Sequence, residues 1–140
     1  MKIIAVGKIR KKFVEDGIKY FQKQLTKLEI IEVKQSNIEQ EGLALISKIR
    51  LRDYVIILDI SGQTFSSLEF AKKLDEIKTI NSEIVFVIGG SVGSSEEVKA
   101  RANLAISFSK MTFPHELFRL MLVEQIYRAE SILNGKPYHK

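Results

Sequence analysis

The chain has 140 residues, 45% hydrophobic and 28% charged, with no cysteine and two histidines. This suits one compact domain with a real core, and it argues against a disulfide scaffold or a structural zinc site. No apolar run approaches the ~18 residues that span a bilayer, and Met1–Gly7 is too short an apolar start for a signal peptide, so a cytoplasmic protein is expected. The net charge is +5, yet Lys2, Lys8, Arg10, Lys11, Lys12, Lys19, Lys23 and Lys27 face only Glu15 and Asp16 in the first 27 residues; such a local excess fits a nucleic-acid partner or a solvated face.

In chain order, Lys2–Val6 reads as a buried strand. Residues 12–27 read as a helix, with Phe13, Ile18, Phe21, Leu25 and Leu28 near one face and Lys19, Lys23 and Lys27 on a shared stripe. Glu29–Lys34 reads as a second strand and Ile38–Ile49 as a helix. Tyr54–Asp59 is β-branched and almost wholly apolar, as for a strand covered on both faces, and Ser61-Gly62-Gln63 is expected to break it. Ser66 or Ser67 offers an N-cap for a helix through about Ile77. Glu83–Ile88 is another buried strand, ending at Gly89-Gly90. Ser94 or Ser95 caps a helix through about Ala102, and Leu104–Phe108 is a fifth strand. Pro114 opens a long last helix to about Leu133, which Gly135 and Pro137 end.

Strands alternating with helices imply an α/β fold, a mostly parallel sheet with helices on both faces. Ligands in such sheets bind beyond the carboxyl ends of the strands, which directs attention to the loops after Leu58, Ile88 and Phe108. The turn Gly89-Gly90-Ser91-Val92-Gly93-Ser94 admits close backbone approach by a ligand. It matches neither G-x-G-x-x-G nor the P-loop pattern; a plain strand-to-helix turn is the other reading. Met111 and Phe113 are apolar residues in a loop that need a cover: a flat heterocycle, a second subunit or the chain's own core.

His115 falls in the first turn of the last helix, where a neutral imidazole is favoured as a proton acceptor. Arg119, four residues on, shares its face and can clamp a phosphate or carboxylate; alternatively Glu116 pairs with Arg119 and His115 caps its own turn. Glu124 and Arg128 read as a surface pair. The last helix is apolar nearly all round, which suggests a second buried face such as a dimer interface. The tail residues Tyr138, His139 and Lys140 either fray or stack on a base and hold phosphates.

Read together, Ile88-Gly89-Gly90 with Gly93, Thr112-Phe113-Pro114-His115, Arg119, Glu124-Gln125-Ile126-Tyr127-Arg128-Ala129 and the ending Tyr138-His139-Lys140 resemble the RlmH family. These are SPOUT-class methyltransferases acting on N3 of a pseudouridine in large-subunit (23S) ribosomal RNA. The resemblance covers the whole chain. It implies a C-terminal trefoil knot, a homodimer, S-adenosylmethionine as cofactor and no metal. By position, the cofactor pocket would use Leu58, Gly89, Gly90, Phe108, Ser109, Lys110, Met111, Thr112 and Phe113. His115 and the partner tail's His139 are candidate general bases, and Arg119 would stabilise a developing oxyanion or grip a phosphate. Arg10, Lys11, Lys12, Lys19, Lys23, Tyr138 and Lys140 would hold the RNA of the large subunit or the assembled ribosome. Some members carry an acid in the glycine turn where this chain has Val92. The sequence leaves two rivals open: a non-enzymatic ribosome- or RNA-binding protein with the same basic face, and a SPOUT enzyme acting on another RNA.

Overall fold

A computed structural model describes residues 1–80 and 83–140. Five strands, β1 (Lys2–Val6), β2 (Glu29–Val33), β3 (Tyr54–Gln63), β4 (Ile84–Ile88) and β5 (Leu104–Ile106), alternate with α1 (Lys12–Gln24), α2 (Ile38–Ser47), α3 (Ser67–Ile80), α4 (Glu96–Arg101) and α5 (His115–Leu133). Every strand pair is parallel and the order is β2-β1-β4-β3-β5. The side-chain period of two sorts each strand onto two faces. Ile84, Phe86 and Ile88 of β4 join Ile3 of β1 beneath α1, α3 and α5, whereas Val85 and Val87 join Ile4 and Val6 against Leu45 of α2 and Val98 of α4. A sheet sealed on both sides in this way explains the continuous apolar runs.

The helix starts follow the capping rules. The Asn37 side chain accepts the Gln40 amide at 2.8 Å, and Ser95, not Ser94, accepts that of Val98 at 3.3 Å. Ser66 and Glu69 make a reciprocal capping box: the Ser66 hydroxyl accepts the Glu69 amide at 3.1 Å and the Glu69 carboxylate accepts the Ser66 amide at 2.7 Å.

Some sequence-based boundaries move for identifiable reasons. Ser61-Gly62-Gln63 does not break β3, because the register shifts between Leu58 and Gln63 and the strand re-pairs with Ile106. A Cβ on Gly62 would lie 2.6 Å from the Ala105 carbonyl carbon, so glycine permits this backbone-on-backbone irregularity. α1 stops at Gln24 because Leu25 is extended and the chain turns to bury both Leu25 and Leu28. Lys27 therefore leaves the lysine stripe, and Phe13, expected inside, is 64% exposed. β5 ends at Ile106, since the Ser107 hydroxyl already donates to the Ser109 carbonyl at 3.0 Å in the following turn. Pro114 is the N-cap of α5 rather than its first residue, its carbonyl accepting the Phe118 amide at 2.9 Å.

The segment from Ser107 to Pro114 does the most to position a site. It leaves β5 at one edge of the sheet and delivers His115 to the end of β1, where the imidazole meets the Val6 carbonyl. The segment therefore crosses the carboxyl ends of β3 and β4.

Candidate functional site

Strand ends, glycine turn and crossing segment converge on a cleft of about 400 Å³ at the carboxyl edge of the sheet. Leu58 lines it from β3, Gly89 and Gly90 from the turn after β4, and Phe108, Ser109, Met111, Thr112 and Phe113 from the crossing segment. Eight of the nine residues expected around a cofactor are thus neighbours in space. Lys110 is exposed and does not line the cleft.

The glycine turn is folded tightly on itself. Gly93 sits at φ +88°, a left-handed conformation that side chains resist, and Gly90 bridges to it, the Gly93 amide donating to the Gly90 carbonyl at 3.0 Å. A Cβ on Gly89 would come within 2.8 Å of the Gly93 carbonyl oxygen. Across the cleft, Phe108 and Phe113 pack against Phe118 with ring centroids 4.9 and 6.2 Å away. That supplies the cover the loop aromatics need, while Met111 stays exposed. One wall is backbone and the other is aromatic, so the cleft combines a few polar groups with apolar lining, as small-molecule sites commonly do.

His115 lines the same cleft, half-buried. Its Nε2 lies 2.9 Å from the Val6 carbonyl oxygen. A carbonyl only accepts, so Nε2 carries the proton of the neutral ring and Nδ1 keeps its lone pair.

Arg119 differs from its expected role. It is 1% exposed, its Nη1 pairs with Glu32 at 2.6 Å, and its Nη2 donates to the carbonyls of Val6 at 3.3 Å and Gly7 at 3.0 Å. This arginine faces inward and ties β1, β2 and α5 together, so it orients the Val6 carbonyl that His115 uses and does not face a substrate. Glu116 does not pair with Arg119 either. Its carboxylate accepts the Arg10 and Lys11 amides at 2.8 and 2.9 Å, and those bonds hold it below the usual carboxylate range. The basic loop after β1 is thereby fixed beside His115.

The other expected site residues lie elsewhere. The Tyr138 ring packs on Tyr127 at 4.7 Å and beneath the Arg128 guanidinium at 4.9 Å, and its hydroxyl donates to Glu124 at 3.0 Å. Burial first, and the bond to Glu124 second, raise the Tyr138 phenol above its ordinary value. Arg128 donates to His139 Nδ1 at 3.0 Å. Within one chain the tail is therefore laid along α5 and not in the cleft with His115. The pair Glu124–Arg128, which reads from sequence as a simple surface pair, is the anchor for that tail. Of the expected RNA-binding cations, Lys12 pairs with Asp16 at 2.6 Å and Lys19 with Glu15 at 2.7 Å. Arg10, Lys11, Lys23 and Lys140 are exposed and form no ion pair among the described residues.

The family model described as "Predicted SPOUT methyltransferase" matches residues 1–139. This chain belongs to the SPOUT methyltransferase family. It is 48% identical to a protein named ribosomal RNA large subunit methyltransferase H from Acholeplasma laidlawii, covering 100% of this chain and 99% of that protein. It is 45% identical to proteins of the same name from Parasynechococcus marenigrum, covering 99% and 95%, and from Streptococcus pneumoniae, covering 100% and 99%.

As a member of this family, the chain places residues at its cleft that the sequence did not single out. Asp59 and Phe118 line it directly, and Glu41 lies behind Gly90. Glu41 carried a legible signal: it falls on the inward stripe of α2, three residues after Ile38 and four before Leu45, where an acid is unusual. Glu32 carried none, because its partner is 87 positions away. The described residues hold no cluster of three or more metal-ligating side chains and no helix long and apolar enough to cross a membrane.

Proposed function

We propose that this protein uses S-adenosylmethionine to methylate N3 of a pseudouridine in large-subunit ribosomal RNA, in the cytoplasm, as a homodimer. The observation that carries the reading is the convergence of three strand-end loops on one cleft that also holds His115. The near-full-length relatives, named as methyltransferases of large-subunit ribosomal RNA, support the substrate class. The residues present fit the cofactor: the side-chain-free backbone of Gly89 and Gly90 along the cleft, an aromatic wall, and Asp59 at the rim to accept hydroxyl or ammonium donors. When bound, the cofactor supplies a methyl group activated by its positive sulfur.

The protein then has two tasks. It must hold the base in line with that methyl, and it must take the proton from the ring nitrogen, because a neutral imide is a poor nucleophile. His115 does the second through Nδ1, the nitrogen that its bond to Val6 leaves open. Arg119 acts as a positioning residue for that histidine. Arg10 and Lys11, fixed beside His115 through Glu116, hold RNA phosphates. The passage of residues 107–114 across the ends of β3 and β4 supports the trefoil knot of the family.

A dimer is supported by the surplus apolar face of α5. Leu117, Leu120 and Met121, with Phe21 and Phe65, line an open groove of about 520 Å³. That groove shares Ile106, Ser107 and Phe108 with the cofactor cleft, so a partner's tail with its Tyr138, His139 and Lys140 seated there would reach the cleft.

The test is calorimetric titration with S-adenosylmethionine and S-adenosylhomocysteine, on protein whose mass has been measured by light scattering, followed by a methyl-transfer assay on ribosomes. One ligand per chain, a mass of twice 16.0 kDa and methylated ribosomal RNA are expected. RNA binding without affinity for either ligand would instead establish a non-enzymatic RNA-binding protein, and transfer only to a different RNA would reassign the substrate.

A further inference from the structure

Behind the glycine turn lies a charge that the mechanism above does not use. Glu41 is 4% exposed, in the first turn of α2. One carboxylate oxygen, Oε2, accepts the Ser36 amide at 2.9 Å. The other, Oε1, is buried and has no hydrogen-bond partner among the described residues. A Cβ placed on Gly90 would lie 2.5 Å from this oxygen, so the carboxylate rests directly on the Gly90 backbone. Gly90 in turn lines the cofactor cleft, and only a residue without a side chain separates the carboxylate from the cleft. The neighbouring Gly42 fits as closely, a Cβ there falling 2.4 Å from the Ser95 hydroxyl that caps α4. α2 is thus docked against both ends of the turn.

A buried acid without full pairing is costly unless something offsets it. The start of α2 favours an anion through its dipole, and the Ser36 amide satisfies one oxygen. The free oxygen projects its field through a thin, poorly screened wall, where a charge acts more strongly than at a wetted surface. Asp59 is the other acid at the cleft, but it is partly exposed and hydrogen-bonded to Ser61 at 2.9 Å, so solvent screens it more than the buried Glu41.

We propose that Glu41 is an electrostatic selectivity residue: its buried carboxylate behind Gly90 favours the cationic methyl donor over the uncharged-sulfur product left after transfer. The inference rests on the cofactor reading of the cleft given above. A site of this kind binds donor in preference to product and weakens its hold on the product once the positive charge has gone.

The experiment is titration of S-adenosylmethionine and S-adenosylhomocysteine into the full-length wild-type protein, E41Q and E41M. The two ligands differ only by a methyl group and the charge it confers. E41Q removes the charge and keeps the shape. E41M removes the orphan oxygen as well and guards against a glutamine variant that fails to fold. The ratio of product Kd to donor Kd should fall about fivefold in each variant relative to wild type, through weaker donor binding with product binding little changed. An unchanged ratio, or parallel weakening of both ligands, would reduce Glu41 to a structural support of the turn and overturn the proposal. Failure of the wild type to bind either ligand would instead defeat the cofactor reading itself.

Discussion

At the scale of single residues, the arrangement around His115 assigns different tasks to the two ring nitrogens. Nε2 is committed to the Val6 carbonyl at 2.9 Å, which leaves Nδ1 as the ring nitrogen not engaged by that bond. A glutamine carries an amide nitrogen where the imidazole has Nε2 and nothing where it has Nδ1. H115Q should therefore keep the bond to Val6 and the thermal stability of the wild type, yet lose turnover by roughly 10²-fold or more, the scale of general-base catalysis. Single-turnover methyl transfer together with a melting curve reads both quantities. Near-normal turnover in H115Q would remove Nδ1 from the chemistry and leave positioning as the contribution of this residue. Arg119 shows the opposite outcome for a sequence-based expectation. Spacing places it one turn beyond His115, but spacing does not reveal its direction, because Glu32 and the end of β1 claim its guanidinium.

At the scale of elements, the short edge strand β5 sets the geometry of the cleft, since the crossing segment hangs from it. β5 has three residues, and its pairing to β3 depends on the irregularity between Leu58 and Gln63. Adding a methyl in G62A would push against the backbone of Ala105 and Ile106, which cannot move as a flexible side chain would. A loss of about 2 kcal/mol is expected from such overpacking, along with weaker cofactor binding as Phe108 and its neighbours shift. Urea denaturation and calorimetry would check the two effects, and a G62A protein with wild-type stability would mean that β5 is free to slide. This element also shows where sequence reading stops. β4 is legible because a strand buried on both faces must be apolar throughout, and the three cleft loops are legible because ligand sites follow strand ends. Ser61-Gly62-Gln63 is not, because three turn-prone residues spell a break unless the strand that re-pairs with them is known. Glu32 stays hidden for a related reason: its charge looks like surface until the partner 87 positions away is in view, whereas Glu41 is marked by its place on the inward stripe of α2.

At the scale of the whole molecule, the placement of charge matters more than the net +5. The basic N-terminal segment divides into two sets. Lys12 and Lys19 pair with acids one helical turn away on α1, where each cation is largely answered locally. Arg10 and Lys11 are exposed in the loop after β1, held by Glu116 next to His115 at the carboxyl edge of the sheet. Lys23 is exposed near the far end of α1, roughly 16 Å along the helix from its start at 1.5 Å per residue. If RNA docks over the cleft, the loop cations of this segment, and not Lys12, Lys19 or Lys23 on α1, meet phosphates near the reacting base. R10Q/K11Q should then weaken RNA binding and flatten the slope of log K against log salt by about 0.7 to 0.9 for each phosphate no longer neutralised. K12Q/K19Q, with the same change in net charge, should leave the slope nearly untouched. Filter binding across a salt series distinguishes the two double variants. Equal losses in both would mean that RNA responds to the overall field of the basic segment, and the docking face would then have to be sought along α1 instead of at the cleft.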